Sequence, residues 1–568
     1  MRGSKLTDPS IHSIEPATGP AGQKAHPDAI AHTRRLEAKL YKVGEHAWSL
    51  VGNGLSNQNF VVGPDGIIAI DTGESVEEMR DALKALRTQT DKPIVACIYT
   101  HFHYVGGTQA ILEQSGSHGL QIYGHRGIPR NMARFGGEVA PRSNRGLVHQ
   151  FGTSLPSDGP DALLSCGLGR FLRNPDHAPF TPGYVPAQHT FDAPVTHSIA
   201  GLTVEFRPAP SDATDSITVW FPELKLCVNN LVWPSLFNIF AIRGEEYRDP
   251  RILLEGFDHM LGLAPDALIG THGPPVTESV PTAITYARDA IQFIWDQTVR
   301  GINRGLTLDE LVQQVRLPEQ FKTTYITQEF YGLVEHHVRQ IHSGLFGWLD
   351  DDESHLFPLP TQTRMNKLIT GFGGAERVRE QCTQAVDDGD YRWALELATW
   401  LARVDGATVA DRMRLANVLR AIGQRTTSAN ARNWCLTRAL EWEGSIDLSR
   451  FREHRFSYGQ VLSQAPTRFV PTLRVLLDPI RAKDIDTEIG WQFTGGERVG
   501  LHIRNQVAVP TDGRRAAHSL MLSHETWADL LSNRLTLAAA LESGVISIHG
   551  DDRQVQAVLS CFDHPAFA

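Results

Sequence analysis

Two histidines one residue apart, His101 and His103, follow the apolar run IVACIYT and precede Gly106-Gly107 in the stretch IYTHFHYVGGT. Paired imidazoles suggest a divalent-metal site. At positions i and i+2 of a strand their side chains point to opposite faces, but where the chain bends at the strand's exit both can converge on one ion. The plain alternative is two polar residues capping a strand end, since 24 histidines offer many chance pairs of this kind.

The surrounding elements favour a bent strand exit. From residue 46, HAWSLVGNGLSNQNFVVGPDGIIAIDTG reads as three short strands separated by turn chemistry at Gly52 to Gly54 and at Pro64-Asp65-Gly66. A polar helix over 74–89, the apolar strand ending at Thr100 and a helix after Gly107 continue the alternation, which predicts an α/β layered domain. Residues 140–200, rich in Pro, Gly and Ser, read as a long loop, and loops of that length tend to be functional covers. Phe171, Phe180 and Tyr184 within it suit a cover over an apolar substrate. After ALIGTHGPPV the texture turns helical, and Ala394, Leu397, Ala398 and Leu401 recur with the spacing of one packed helix face. The last part turns β-like again, with Leu501, Ile503, Val507 and Val509 alternating in VGLHIRNQVAV, and predicts an α+β domain.

At 568 residues the chain exceeds what one core usually supports, so several domains are expected. We place a leader-like segment at 1–35, the α/β domain at 36–278, a helical domain at 279–445 and the α+β domain at 446–568. A hydrophobic fraction of 41% and a charged fraction of 21% are ordinary for a soluble protein, and no window approaches a bilayer-spanning run. The net charge of −10, with no long Lys/Arg block, makes nucleic acid an unsuitable partner. Six scattered cysteines without a CxxC pair read as buried thiols. The opening MRGSKLTDPS reads as an added leader without an apolar signal-peptide core, which leaves the cytoplasm as the expected compartment.

The strand-turn-helix setting IYTHFHYVGGTQAIL resembles the metal-binding turn of the metallo-β-lactamase superfamily, THxHxDHxGG, and FVVGPDGIIAIDTG resembles that superfamily's paired strands and Asp-Thr-Gly turn. Downstream, LCVNNLVWPSLFNIFAIRGEEYRDP, YGLVEHHVRQIHSGLFGWLDDD and GDYRWALELATWLARVDGATVADRMRLANVLRAIGQ are similar to the zinc-dependent alkylsulfatases of the superfamily. The resemblance runs from about residue 40 to the end. It implies an αββα metallohydrolase domain, a helical dimerisation domain that makes a homodimer, and a sterol-carrier-like C-terminal domain. It also implies metal ligands at His101, His103 and Asp212, with Asp215 as the other choice in PAPSDATDS. Two imidazoles and a carboxylate suit catalytic zinc.

The second metal site of the family is incomplete here. The chain runs from HFHY straight to VGG, as if two residues were absent, the family's bridging carboxylate falls at Asn230, and only His272 in IGTHGPP survives from the second ligand set. A mononuclear site is expected, with Tyr104, Asn230 and His272 in the space of the second ion; Tyr104 and His272 are candidate catalytic residues and Asn230 a substrate-binding one. The family's sulfate-holding Asn and Arg fall on Asn238 and Arg243, with Arg248 the structural alternative. Its leaving-group acid falls on His336, and His337 beside it reads as a helix-surface residue.

Three functions fit these residues. The first is hydrolysis of an organic, alkyl-type sulfate ester or related anionic ester on one metal ion, zinc first. The second is oxygen-dependent redox chemistry, because two histidines and a carboxylate also describe the Fe(II) facial triad. The third is a non-catalytic hydrophobe-binding homologue, suggested by the sterol-carrier-like tail. The expected substrate is a small molecule with an anionic and a hydrophobic part.

Overall fold

A computed structural model describes residues 11, 14–115, 119–135 and 137–567. Of the segment read as leader-like, 1–35, residues 1–10, 12 and 13 lie outside them, but the stretch 17–33 is folded: Ala25, His26 and His32 are buried, and Ala25 and Ala29 pack with Leu164, so the leader reading does not extend over it. The chain divides into two units, one of residues 1–132 with 145–448 and one of residues 133–144 with 449–568. No helix of the described residues is long and apolar enough to cross a membrane.

The first unit begins with the two-residue strands β1 (Ala17–Thr18) and β2 (Lys24–Ala25) and a helix, Pro27–Thr33. A seven-stranded sheet follows in sequence order: β3 (Lys39–Val43), β4 (Ala47–Val51), β5 (Gln58–Gly63), β6 (Gly66–Ile70), β7 (Ile94–Ile98), β8 (Gln121–His125) and β9 (His189–Phe191). Strands β3 to β6 pair antiparallel through short connections, whereas helix Val76–Arg87 carries the chain from β6 to a parallel β7. Ser75 caps that helix by accepting from the Glu78 amide. The second sheet runs β10 (Val195–Ile199), β11 (Leu202–Pro208), β12 (Ile217–Phe221), β13 (Leu226–Asn229) and β14 (Ala267–Gly270), with β13 and β14 parallel.

The alternation along β11 explains how the sheets meet. Leu202, Val204 and Phe206 point inward and join Val61, Ile68, Ile70 and Ile98 of the first sheet in one core. Val76, Met79, Ala82, Leu83 and Leu86 are buried on helix Val76–Arg87, next to the first sheet. Helices Pro250–Leu263 and Val280–Ile302 bury Leu253, Phe257, Met260 and Ile284 in a core shared with Cys227 and Leu268 of the second. The result is the four-layer αββα sandwich expected from the resemblance. Beyond it, helices from Thr361 to Glu443 pack around Ala394, Leu397, Ala398 and Leu401, the face read from their spacing.

Residues 140–200 are not a single loop. Ala140–Phe151 is a helix that buries Val148 and Phe151, its Pro, Arg and Asn residues having given it a loop-like composition, and β9 and β10 occupy the far end. From 152 to 188 the chain has only the one-turn helix Pro175–His177.

The second unit holds a sheet of order β17-β16-β15-β18-β19, formed by β15 (Thr487–Phe493), β16 (Arg498–Arg504), β17 (Val507–Thr511), β18 (His518–Leu522) and β19 (Ile546–His549). Its core includes Trp491 and Trp527, whose ring centres are 6.2 Å apart. Leu501 and Ile503 face that core, but Val507 is 51% exposed and Ala508 is buried instead. The two-residue turn Asn505-Gln506, both with positive φ, pairs Arg504 with Val507, so Val507 shares the outward face of Arg504.

Candidate metal and anion site

Several strands of both sheets end at the same place, and their exits supply the polar residues: Asp71 after β6, His101 and His103 after β7, Asn230 after β13 and His272 after β14. Ligands of α/β sheets gather at such carboxyl ends. At His101 the backbone is still extended, and Phe102–Tyr104 then turns as a short 3₁₀ helix. That bend defeats strand alternation and leaves the two imidazole centres 4.9 Å apart. The turn closes tightly on Gly106-Gly107, where a Cβ would come within 2.4 Å of the Glu74 carbonyl oxygen and 2.1 Å of the Thr72 carbonyl oxygen, respectively.

Asp212, between β11 and β12, completes a group with the two histidines whose ligand atoms all lie within 4.8 Å of one another. His101 Nε2 is 3.8 Å from Asp212 Oδ1, and His103 Nδ1 is 3.3 Å from Asp212 Oδ2. Asp215 points elsewhere, accepting from Asn131 Nδ2 at 2.7 Å. Between the two aspartates offered by PAPSDATDS, the structure joins Asp212 to the histidines.

The tautomer of His101 follows from its neighbours. Thr100 Oγ1 donates to Asp71 Oδ2 at 2.7 Å, so it accepts from His101 Nδ1 at 2.9 Å. The proton is then on Nδ1, and Nε2, fully buried and without a hydrogen-bond partner, presents a lone pair to the group. Burial brings the His101 pKa down to about 3, so the ring is neutral and ready to ligate. Burial opposes the charge of Asp212, yet the imidazoles of His101 and His103 hold that carboxyl well below its usual range. An orphaned imidazole nitrogen, a second imidazole and an ionised carboxylate are the donor set a divalent cation takes.

Behind this group the residues are uncharged. Asn230 Nδ2 donates to Asp212 Oδ1 at 2.6 Å, and its Oδ1 accepts from Trp233 Nε1 at 3.0 Å. His272 Nδ1 donates to the Leu55 carbonyl at 3.0 Å, which leaves Nε2 to accept from the Tyr104 hydroxyl at 3.4 Å. Burial lowers the His272 pKa to about 4.

The anion-binding candidates lie in the next segment. Arg243 Nη2 is 3.5 Å from His103 Nε2, and Arg243 Nε donates to Glu245 Oε1 at 2.6 Å. Glu245 also stands 3.8 Å from His103 Nε2. Asn238 Oδ1 accepts from His337 Nε2 at 2.9 Å. His337 is wholly buried and is no surface residue: the first turn of helix Val334–Phe346 packs inward. His336 sits 3.6 Å from Glu335 Oε1 with its ring against Phe240. Thus the structure joins His101, His103, Asp212 and Asn230, pairs Tyr104 with His272, sets Arg243 beside His103, and gives Asn238 to His337 instead of His336. Glu245, Asp71 and Thr100 were not singled out as site residues; the acid two places after Arg243 was the available signal for Glu245.

The segment 152–188 is pinned to the same end. Gly183 N donates to the Gly106 carbonyl at 2.7 Å, Gln109 N to the Gly183 carbonyl at 2.9 Å, and Arg173 N to Glu74 Oε2 at 2.9 Å. This long connection is therefore fastened to the turn that carries the histidines.

Comparison with known proteins decides the family. The chain is 32% identical over 520 residues to a linear primary-alkylsulfatase of Pseudomonas sp. (strain ATCC 19151), covering 88% of this chain and 97% of that one. The chain belongs to the alkylsulfatase family. Two family patterns agree, described as alkyl sulfatase dimerisation over residues 307–445 and alkyl sulfatase C-terminal over 459–568. An alkyl/aryl-sulfatase of Saccharomyces cerevisiae is 25% identical over 540 residues, covering 92% of this chain and 82% of that one. The solved stereoselective inverting sec-alkylsulfatase Pisa1 from Pseudomonas sp. superposes with a TM-score of 0.84 at 24% identity, over 96% of this chain and 88% of that one, and shares the fold. Membership makes the chain a hydrolase-type enzyme with a metallo-β-lactamase-like α/β region, a helical dimerisation region and a C-terminal α+β domain.

Proposed function

We propose that this alkylsulfatase-family enzyme hydrolyses an alkyl-type sulfate ester with one divalent metal ion, zinc first, held by His101, His103 and Asp212. The observation that carries the reading is the buried, partnerless His101 Nε2 facing His103 and Asp212. Among the described residues one such group of three donors converges. A single ion is favoured because the neighbouring positions offer the Asn230 amide and a Tyr104–His272 hydrogen bond in place of carboxylates.

When bound, the ion supplies Lewis acidity and brings the pKa of a coordinated water from ~15.7 to about 7. Asp71 and Thr100 hold the His101 ring in its ligating tautomer. Asn230 holds Asp212 Oδ1. Asn238 and Arg243 bind the sulfate group, and Tyr104 with His272 bounds the pocket on the far side. His336 donates a proton to the departing alkoxide; desolvation lowers its pKa, and the Glu335 carboxylate favours the imidazolium. The segment 152–188, with Phe171 and Tyr184, covers the alkyl part.

The helical region 307–445 makes a homodimer in this reading, and no step requires a membrane. The test is elemental analysis of chain purified without chelator, joined to release of inorganic sulfate from a linear alkyl sulfate. One zinc per chain with sulfate release is expected. Two ions per chain defeat the single-ion reading, and iron with oxygen uptake and no sulfate release defeats the hydrolytic one.

A further inference from the structure

The segment from Asn238 to Arg248 holds two buried arginines whose charges are not equivalent. Arg243 is ion-paired to Glu245 at 2.6 Å, and both side chains are nearly closed to solvent, 8% and 7% exposed. At that distance the guanidinium and the carboxylate form a charge-assisted ion pair. Arg243 already has its counter-ion.

Arg248 has none. It is 5% exposed, and among the described residues no carboxylate lies within 4.0 Å of it. Its Nη1 donates to the Asn238 carbonyl at 2.5 Å, while its Nε has no hydrogen-bond partner. Asn238 Nδ2 is likewise buried and partnerless, since the other side of that amide is taken by His337. An uncompensated buried charge is strongly destabilising, and a buried donor left unpaired has given up its hydration without a replacement. Two such donors, on residues already bonded to each other and one of them charged, suit an acceptor that carries negative charge. Asp212 and Glu245, whose carboxylates act on Arg248 through space, are committed to the histidine group and to Arg243.

We infer, on the sulfate-ester reading above, that Arg248 is the specificity-determining residue of the anion seat: with Arg243 neutralised by Glu245, the net positive charge that meets the anionic head is Arg248's, acting beside Asn238 Nδ2. Glu245 then sets how much of Arg243's charge an incoming anion feels. A role for Arg248 confined to bracing the Asn238 backbone predicts no such coupling to Glu245.

The probe is inorganic sulfate, titrated calorimetrically into the metal-loaded full chain, with inorganic phosphate and acetate in parallel. Arg248→Gln is expected to weaken sulfate binding at least tenfold and Arg248→Lys to weaken it less. Glu245→Gln is expected to tighten it severalfold by freeing Arg243. Should Arg248→Gln fail to fold, Arg248→Lys and Glu245→Gln decide. Sulfate binding within twofold of the parent in the Arg248 variants, or unchanged or weakened by Glu245→Gln, overturns the assignment, as does a parent chain that binds none of the three anions. If the parent binds acetate or phosphate but not sulfate, and does so through Arg248, the sulfate-ester reading falls and the assignment of Arg248 stands.

Discussion

Thr100 Oγ1 lies 2.7 Å from Asp71 Oδ2, which commits the hydroxyl proton to the carboxylate and turns the oxygen's lone pair toward His101 Nδ1. Asp71 is held for this role by a left-handed backbone, φ 60°, at the exit of β6, and its second oxygen takes the Thr100 amide at 2.8 Å. The orientation of the His101 imidazole is thus set by Thr100 and, behind it, Asp71. Thr100→Val keeps the shape and removes the hydroxyl; metal affinity is expected to fall about 10–100-fold, measured by competition with a chromophoric chelator. Unchanged affinity would show that the ring is oriented by packing alone.

Asp212 and Asp215 are three residues apart and face different partners, the two histidines and Asn131 respectively. Asp212→Asn is expected to abolish stoichiometric metal binding because the carboxylate facing the imidazoles loses its charge. Asp215→Asn is expected to retain one ion per chain, since that side chain engages Asn131 instead. Elemental analysis of both variants reads this directly; loss of metal from the Asp215 variant would reverse the ligand assignment.

How much of this was legible in the sequence depended on the range of the interaction. The HxH pair, the strand-end turn and the αββα order could be read because they are written in contiguous residues and in a long resemblance. The resemblance put Asp212 ahead of Asp215, but local sequence offered no reason for that order, because it turns on a loop pairing with a distant strand exit. His337 was misjudged for a related reason: an adjacent histidine pair on a helix leaves open which ring faces inward, and only packing against Asn238 settles it. In β17 the alternation was real but its sense was not, because a two-residue turn with positive φ at both positions sets which residues pair across it. Composition misled over 140–151, where Pro, Arg and Asn mask an apolar stripe.

An apolar surface follows helix Val334–Phe346 within the region matched to alkyl sulfatase dimerisation. Phe346, Trp348, Leu349, Leu356, Phe357 and Leu359 are all exposed, with Trp348 at 71% and Phe357 at 88%. Exposed apolar groups concentrated in this way mark an association surface. We expect this surface to be the homodimer contact. Burying each large side chain stabilises association by roughly 1.5–3 kcal/mol, so Trp348→Ser with Phe357→Ser should raise the dimer dissociation constant at least 100-fold. Light scattering at micromolar concentration would then report a monomer, with metal content unchanged. A dimer that persists in the double variant would place the contact elsewhere.

Within the helical region, Asp411 joins two helices. It stands third in helix Val409–Gly423, where its amide donates to Thr408 Oγ1 at 3.1 Å and its carboxylate accepts the Thr408 amide at 3.2 Å in a capping box, while Arg379 of helix Ala375–Asp387 donates to its two oxygens at 2.8 and 2.9 Å. The Arg379 hydrogen bonds, with burial opposing, bring the Asp411 pKa down to about 2 from an unfolded value near 3.9. A carboxylate whose folded pKa is depressed stabilises the fold above the unfolded pKa and loses that contribution as pH falls through the folded one. The contribution at neutral pH is about 2 kcal/mol. Asp411→Asn should therefore accelerate amide exchange across 409–423 about 30-fold at pH 7, and the gap from the parent, after correction for intrinsic exchange, should close between pH 4 and pH 2. An equal gap at both ends of that range would mean that shape, not charge, joins these helices.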